Sequence, residues 1–308
     1  MSFIAFGLMR TSFARLRGIC NLEEQPNDMK KLLVPTDYSP TADKAFAYAL
    51  SLAKKAGAEI LLLHCMTLPS PPLTEDHEEL DKRSDELERA ALRKLDDYKL
   101  FALDQSVQVQ AMTKSGTLVE TIIATASEYN ADFIVMGTLG TTGLNTMIFG
   151  THTAAVIARS SLPVIAVPSD YNRAAPNCIL LAVENVHEDP AVFKPLIELA
   201  NVLGAEVKTL TFSDDKTDGV YILEHAWTAA SIKRKLETSL AGAPVESVHV
   251  SGSDFHQTLQ QYIREHNIDL LVMITHKRSF LQNLFHFSMT RQMAYHTEIP
   301  LLSLQSRG

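Results

Sequence analysis

The chain contains one pattern of apolar and amphipathic segments twice, and this duplication restricts its possible folds more than any other feature. Residues 33–37 (LVPTD) match 180–184 (LLAVE) at a shift of 147, and residues 130–136 (NADFIVM) match 267–273 (NIDLLVM) at a shift of 137. The shift falls from 147 to 137 along the chain, so the second copy is about ten residues shorter between its second and fourth apolar runs, which are predicted to be strands. A register kept over several segments indicates a duplicated domain.

Within the first copy, short apolar runs alternate with segments of helical spacing. The predicted strands are 31–36, 60–65, 107–112, 132–136 and 163–167. The predicted helices are 40–56, between an N-cap at Ser39 and a C-cap at Gly57, then 75–103, 118–130 and 151–159. Such alternation favours a parallel sheet covered on both faces. We therefore predict an α/β protein of two tandem, doubly wound domains, each with a five-stranded parallel sheet.

The composition of one connecting stretch indicates where the two domains begin and end. The Asn-, Arg- and Pro-containing stretch 169–176 is typical of a linker, so we expect domains at 29–170 and 175–308. Residues 1–28 are expected to be a disordered extension, or sequence upstream of a natural start at Met29. Three arginines without acids in the first twenty residues faintly resemble an organelle transit segment.

The overall charge and the cysteines exclude some partners and environments. A formal net charge of −8 over 308 residues argues against nucleic acid as a partner, because that binding depends on Lys and Arg neutralising phosphates. No apolar run approaches the roughly 18 residues that a membrane helix needs, so no membrane partner is expected. Three scattered cysteines without a C-x-x-C pair favour a reducing compartment, and we expect a cytoplasmic protein.

A glycine-rich stretch predicts a site for phosphate. Gly137 and Gly140 follow a predicted strand, and Gly150 comes after nine further residues, just before a predicted helix that begins with Thr151. The free N–H groups and the dipole at a helix N-terminus attract anions, and glycine allows a close approach of the backbone. The spacing matches neither the G-K-[ST] loop nor the G-x-G-x-x-G fingerprint.

Together with residues 31–40 (KLLVPTDYSP), this glycine pattern resembles the universal stress protein family. The resemblance covers nearly all of the chain from Met29 onward, and the tandem arrangement resembles a two-domain member. It implies an adenine-nucleotide alpha hydrolase-like fold and a ligand such as ATP, ADP or AMP, with or without Mg²⁺. It also implies that the two halves pair as a pseudo-dimer, and it leaves a further homodimer open.

The resemblance also implies which residues contact the nucleotide. They are Pro35, Thr36, Asp37, Cys65, Met136, Gly137, Gly140, Thr141, Gly150, Thr151, His152 and Thr153. Four of these have a plainer alternative: Asp37 as a turn or capping group, Cys65 as a small buried residue, Thr141 as part of the loop only, and His152 as a solvent-facing helical residue. Leu139 departs from the family, whose members often carry a basic or polar residue there, which puts strong phosphate binding in doubt.

The second copy departs from the first where the phosphate site is predicted. At the shift of 137, Gly137 becomes Ile274, Gly140 becomes Lys277 and Gly150 becomes Phe287. We therefore expect the second domain to keep the fold without this mode of nucleotide binding. Eight of the eleven histidines lie in this half without a tight metal motif, so scattered surface histidines are expected and a metal site is the alternative.

The functional prediction is a tandem universal stress protein that binds an adenine nucleotide in its first domain and acts in stress adaptation through an unknown protein partner. One alternative is an interaction or scaffold protein whose first site is empty. The other is an enzyme, a slow ATPase. The sequence shows no arginine finger and no pair of metal-binding carboxylates of the kind used in fast phosphoryl transfer, so no catalytic residue is predicted.

Overall fold

The computed structural model describes residues 29–66, 77–138, 151–183, 189–214, 219–240, 243–276 and 298–306. The strands are β1 Lys31–Pro35, β2 Glu59–Met66, β3 Val109–Ser115, β4 Phe133–Thr138, β5 Val164–Pro168, β6 Cys178–Val183, β7 Glu206–Asp214, β8 Glu246–Gly252, β9 Leu270–His276 and β10 Leu301–Ser306. The helices are α1 Pro40–Ala56, α2 His77–Leu103, α3 Leu118–Glu128, α4 Thr151–Arg159, α5 Lys194–Leu203, α6 Gly219–Ser239 and α7 Phe255–Glu265, with a 3-10 turn at Pro190–Phe193.

The ten strands of the described ranges form one sheet in the order β3-β2-β1-β4-β5-β10-β9-β6-β7-β8. Within each half the neighbouring strands are parallel. The halves join where β5 pairs with β10 in antiparallel orientation, with Ile165 opposite Leu302. The predicted α/β fold of two tandem five-stranded parallel sheets is therefore confirmed. That the two sheets continue into one another is a finding of the structure.

The first helix shows how local sequence signals position the elements. The Ser39 side chain accepts a hydrogen bond from the Ala42 N–H at 3.2 Å, and Pro40 fills the first helical position. Gly57 ends the helix in the left-handed conformation, with φ of 66°. The predicted caps are confirmed. The third strand begins at Val109 and not at the predicted 107, because the Val107 N–H donates a hydrogen bond back to the Ala102 carbonyl oxygen of α2 at 3.0 Å.

The repeated N-x-D sequence has a structural role in both halves. Asn130 and Asn267 each adopt φ of 51°, a left-handed conformation that asparagine tolerates better than most residues. Asp132 accepts hydrogen bonds from two backbone N–H groups at the start of β1, at 2.7 and 2.8 Å. Asp269 does the same at the start of β6, at 3.0 and 3.2 Å. The repeat therefore maintains the same link between neighbouring strands in both halves of the sheet.

We expect Asp269→Ala to lower the free energy of unfolding by about 2 to 4 kcal/mol, because two backbone donors would lose their acceptor. The Asp269 side chain is only 14% exposed, and it also accepts from Arg173 at 3.0 Å. Urea denaturation measures the change. Asp104→Ala, in an exposed turn, is the matched control and should stay within about 0.5 kcal/mol of the parent. Equal stability of the two variants would contradict this role for Asp269.

Within the described part of the chain, the helices are too short or too polar to cross a membrane.

Candidate functional site

The first turns of two helices meet at Gly137, at the carboxyl end of β4. A Cβ atom placed on Gly137 would lie 2.5 Å from the backbone carbonyl oxygen of Thr41 in α1. On the other side, the Thr153 hydroxyl of α4 donates a hydrogen bond to the Gly137 carbonyl oxygen at 2.9 Å. The close approach of α1 therefore leaves no room for a side chain at position 137. The β1–α1 connection and the start of α4 both lie beside Gly137.

This junction lies at the point where the strand order reverses. β1 has β2 on one side and β4 on the other, with Leu33 opposite Ile134 in the register. Connections from β1 and β4 therefore leave in opposite directions, which opens a crevice beyond the carboxyl ends of these strands. The positive ends of the α1 and α4 dipoles both lie at this crevice, so its electrostatic character favours an anion.

At the start of α4, two residues are exposed to solvent and one is already hydrogen-bonded within the protein. Thr151 and His152 are exposed in the first turn. Thr153 is 3% exposed, and its hydroxyl hydrogen is already used in the bond to Gly137. The structure therefore gives Thr153 the role of joining α4 to β4, whereas Thr151 and His152 are free to meet a ligand from solvent.

Asp37 lies just beyond β1 and is exposed. One of its carboxylate oxygens accepts a hydrogen bond from the Ser39 N–H at 3.0 Å, so the turn role that the sequence left open is present. Thr36 is buried, and its hydroxyl accepts from the Tyr38 N–H at 3.0 Å. Pro35 is half-buried. The turn holds the Asp37 carboxylate at the mouth of the crevice, where its exposed part can meet a hydroxyl group.

Cys65 and Met136 lie on β2 and β4, the two strands that flank β1. Cys65 lies near the end of β2 and is partly buried, and this burial raises the pKa of its thiol to about 11 despite the opposing effect of Lys114. The thiol is therefore protonated at neutral pH, and it acts as a weakly polar packing group. Met136 is 7% exposed and lies in β4, two residues before its end. Both are suited to contact a ligand by packing.

Four aromatic and basic residues that sequence reasoning missed surround the β1 turn. Tyr38 has φ of 62°, which is rare for a bulky residue. Its ring lies 4.5 Å from the His64 ring, centroid to centroid, and Lys94 of α2 lies 4.9 Å from the Tyr38 ring centroid. The Tyr38 hydroxyl donates to the Ala91 carbonyl oxygen of α2 at 3.0 Å. These contacts hold the side chain of Tyr38 while its backbone is strained.

The fourth of these residues, Tyr98, ties α2 to α1. Its hydroxyl donates a hydrogen bond to the Asp43 carboxylate, and its ring meets the Phe46 ring edge-on at 4.9 Å between centroids. Burial, and next the hydrogen bond with Asp43, raise the pKa of Tyr98 to about 12. α2 therefore flanks the crevice. Tyr38 could have been predicted near the site because it follows Asp37 in sequence. Nothing in the charged α2 sequence indicated that Lys94 or Tyr98 would lie there.

Part of the predicted site lies outside the described residues. This holds for Gly140, Thr141 and Gly150, and in the second half for Lys277 and Phe287. Ile274, the counterpart of Gly137, is described: it is half-buried and packs against the core. The preceding helix also differs, because α5 has 10 residues where α1 has 17 and follows a 3-10 turn.

The described histidines form no metal centre. Across the described ranges, no three side chains among His, Cys, Asp and Glu come together as metal ligands. His249 of β8 instead lies between two hydroxyl groups of β7, with Thr211 at 3.0 Å from Nδ1 and Ser213 at 3.1 Å from Nε2.

Comparisons with known proteins agree with this architecture. The model of the universal stress protein family matches residues 29–168 and again 177–304. Universal stress protein MJ0531 of Methanocaldococcus jannaschii is 30% identical over 145 residues, which cover 46% of this chain and 83% of that protein. A universal stress protein of Thermus aquaticus is 32% identical over 139 residues, covering 45% of this chain and 98% of that protein.

A solved structure extends the likeness to both halves together. The crystal structure of a universal stress protein from Archaeoglobus fulgidus superposes with a TM-score of 0.70 and covers 91% of this chain and all of its own. Its sequence identity is 18%, so this match concerns the fold.

Proposed function

The chain belongs to the universal stress protein family, and from this premise we propose that its first domain, residues 29–170, binds ATP or a related adenine nucleotide. The observation that carries the proposal is the meeting of the first turns of α1 and α4 at Gly137, beside the exposed carboxylate of Asp37. An anion at the helix ends and a hydroxylated sugar at the carboxylate together match the chemistry of a nucleotide.

The described residues fit this ligand in distinct roles. Asp37 accepts hydrogen bonds from ribose hydroxyls, and the helix ends with Thr151 and His152 hold phosphate oxygens. Pro35 and Cys65 pack against the base. The nucleotide would bring negative charge to a pocket that already presents two positive helix ends, with Mg²⁺ as an optional companion of the phosphates.

The second domain, residues 175–308, keeps the sheet without this mode of binding. Ile274 adds a side chain where Gly137 has none, and the shorter α5 replaces the first turns of α1 with a 3-10 turn. Its role in the proposal is to complete the fold by pairing β10 with β5 and to offer surface to a protein partner. Stress adaptation in the cytoplasm through nucleotide-linked partner binding is the resulting function. The free thiols of Cys65 and Cys178 support a reducing compartment.

Calorimetric titration of the full chain tests the proposal. We expect one ATP site per chain, with no hydrolysis in the ordinary enzyme range of about one turnover per second or faster. No binding of ATP, ADP or AMP would favour a scaffold protein, and turnover at that rate would favour an ATPase. Two equivalent sites would contradict the assignment of the nucleotide to the first domain alone.

The Gly140→Val variant separates phosphate contacts from base contacts. A bulky side chain in the predicted glycine loop should block the phosphates, so we expect ATP affinity to fall by about tenfold to a hundredfold. Adenosine affinity should change by less than about threefold, because the base and ribose lie elsewhere. Asp37→Ala is the matched comparison and should weaken both ligands. An equal loss of ATP and adenosine affinity in Gly140→Val would remove this loop from the phosphate site.

A further inference from the structure

α2 carries most of the exposed large apolar side chains among the described residues. Five of the six lie on this helix, and the sixth is Trp227. Leu103 is 68% exposed, Leu100 63% and Leu92 39%. The opposite face of α2 is buried through Ala91, Leu95 and Ala102. A helix that is already packed on one side therefore presents further apolar surface to solvent.

Part of this surface forms a stripe along one flank of α2. Leu92, Asp96, Lys99 and Leu103 follow each other at spacings of four, three and four residues, which places them in line on a helix. Glu88, one turn before Leu92, accepts a hydrogen bond from the Thr113 hydroxyl of β3 at 2.9 Å. Because β3 is one of the two edge strands of the sheet, we place the stripe toward the β3 edge of the molecule.

The stripe is complementary to itself when it is reversed. Its spacing of four, three and four is the same in both directions, with apolar residues at the two ends and opposite charges inside. An antiparallel copy therefore sets Leu92 opposite Leu103 of the partner subunit and Asp96 opposite Lys99 of the partner subunit. Because a two-fold axis repeats each contact, both leucine pairs and both ion pairs form at once.

We propose that a second copy of this chain docks on this stripe, through an antiparallel α2–α2 contact about a two-fold axis. Charge complementarity selects this occupant, because a partner must present a carboxylate and an ammonium group three residues apart between two leucines. Asp96 and Lys99 already pair within the chain at 3.1 Å, so the contact would join two such pairs into a ring of four charges. The proposal is independent of nucleotide binding, since Lys94 and Tyr98 face the crevice from the opposite flank.

The contact would be a modest one. A single pair of crossing helices lies at the low end of specific interfaces, so we expect dissociation in the micromolar range, near 10 μM. Sedimentation velocity of the full chain between about 1 and 200 μM should show a reversible monomer–dimer equilibrium. A chain that remains monomeric over this range would overturn the proposal.

Charge reversal gives the sharpest test. Asp96→Lys alone sets two lysines against each other twice, and Lys99→Asp alone does the same with two aspartates, so each should weaken dimerisation at least about tenfold. The double variant Asp96→Lys/Lys99→Asp restores opposite charges at both contacts and should recover the dimer to within about threefold. Failure of the double variant to recover it would contradict the antiparallel arrangement.

A second pair of variants identifies the flank of α2. Leu103→Glu should abolish the dimer, because it places a charge against Leu92 of the partner subunit. Phe101→Glu is the matched control, since Phe101 is 55% exposed on the other flank of the same turn. It should leave the dimer intact. Circular-dichroism melting of both variants checks that α2 remains folded. Equal disruption by both would assign the contact to another surface and overturn the proposal.

Discussion

Gly137→Val should destabilise the first domain by about 3 kcal/mol or more and abolish the binding of both ATP and adenosine. A Cβ atom at this position would lie 2.5 Å from the Thr41 carbonyl oxygen and 2.6 Å from its methyl carbon. The nearest atom belongs to the backbone, so rotation of a side chain cannot relieve the clash. The first turn of α1 would have to move, and with it the turn that holds Asp37. Urea denaturation and calorimetric titration measure the two effects.

A second substitution tests whether the backbone of Thr41 causes the loss of stability in Gly137→Val. Thr41→Ala removes the methyl carbon and leaves the carbonyl oxygen, so it should not rescue Gly137→Val. Ile274→Val in the second domain is the matched control for a change at the equivalent position, and it should cost only about 0.5 to 1.5 kcal/mol. Normal stability and normal affinity in Gly137→Val would show that α1 does not pack on Gly137. The loss of both ligands also distinguishes this variant from Gly140→Val, for which adenosine binding is expected to survive.

Local signals were sufficient to predict the elements of the fold. Ser39, Pro40 and Gly57 specify the ends of α1 through their own backbone preferences and side-chain hydrogen bonds. The alternation of strands and helices favours a parallel arrangement within each half, and it does not indicate the antiparallel pairing of β5 with β10 between the halves. The repeated Asn130 and Asn267 were visible as a pattern, but their left-handed backbone and the bonds made by the following aspartates required coordinates.

The site was less predictable because its contacts join residues that are distant in sequence. Gly137 fitted a phosphate loop by spacing, whereas the structure adds the approach of Thr41, 96 positions earlier in the chain. The hydrogen bond of Thr153 to Gly137 and the contact of Lys94 with Tyr38 likewise follow from how helices pack on the sheet. Periodicity identifies which face of a helix is buried, and it does not identify what that face meets.

The first domain, when separated from the second, should no longer remain a soluble monomer. All five residues of β5 are buried, and its antiparallel pairing with β10 covers the edge that would otherwise end the first sheet. The Gln305 side chain of β10 adds a hydrogen bond to the Ile157 carbonyl oxygen of α4 at 3.0 Å. An apolar strand with an open edge is a template for pairing with another chain. The covalent second domain supplies β10 at high effective concentration and so protects this edge.

We therefore expect a chain of residues 29–171 that carries Leu103→Glu, which removes the proposed α2 contact, to self-associate or aggregate at micromolar concentrations in sedimentation experiments, because β5 would pair with other copies of itself. The control keeps both halves and removes only their connection. A protease site is inserted after Asn172, where residues 172–174 are exposed, and we expect it to be cleaved in the folded protein. The cleaved halves should sediment together, since the β5–β10 pairing and the Gln305 contact do not depend on the linker. A soluble, monomeric 29–171 chain with full ATP affinity would show that the second domain is not needed to cover β5.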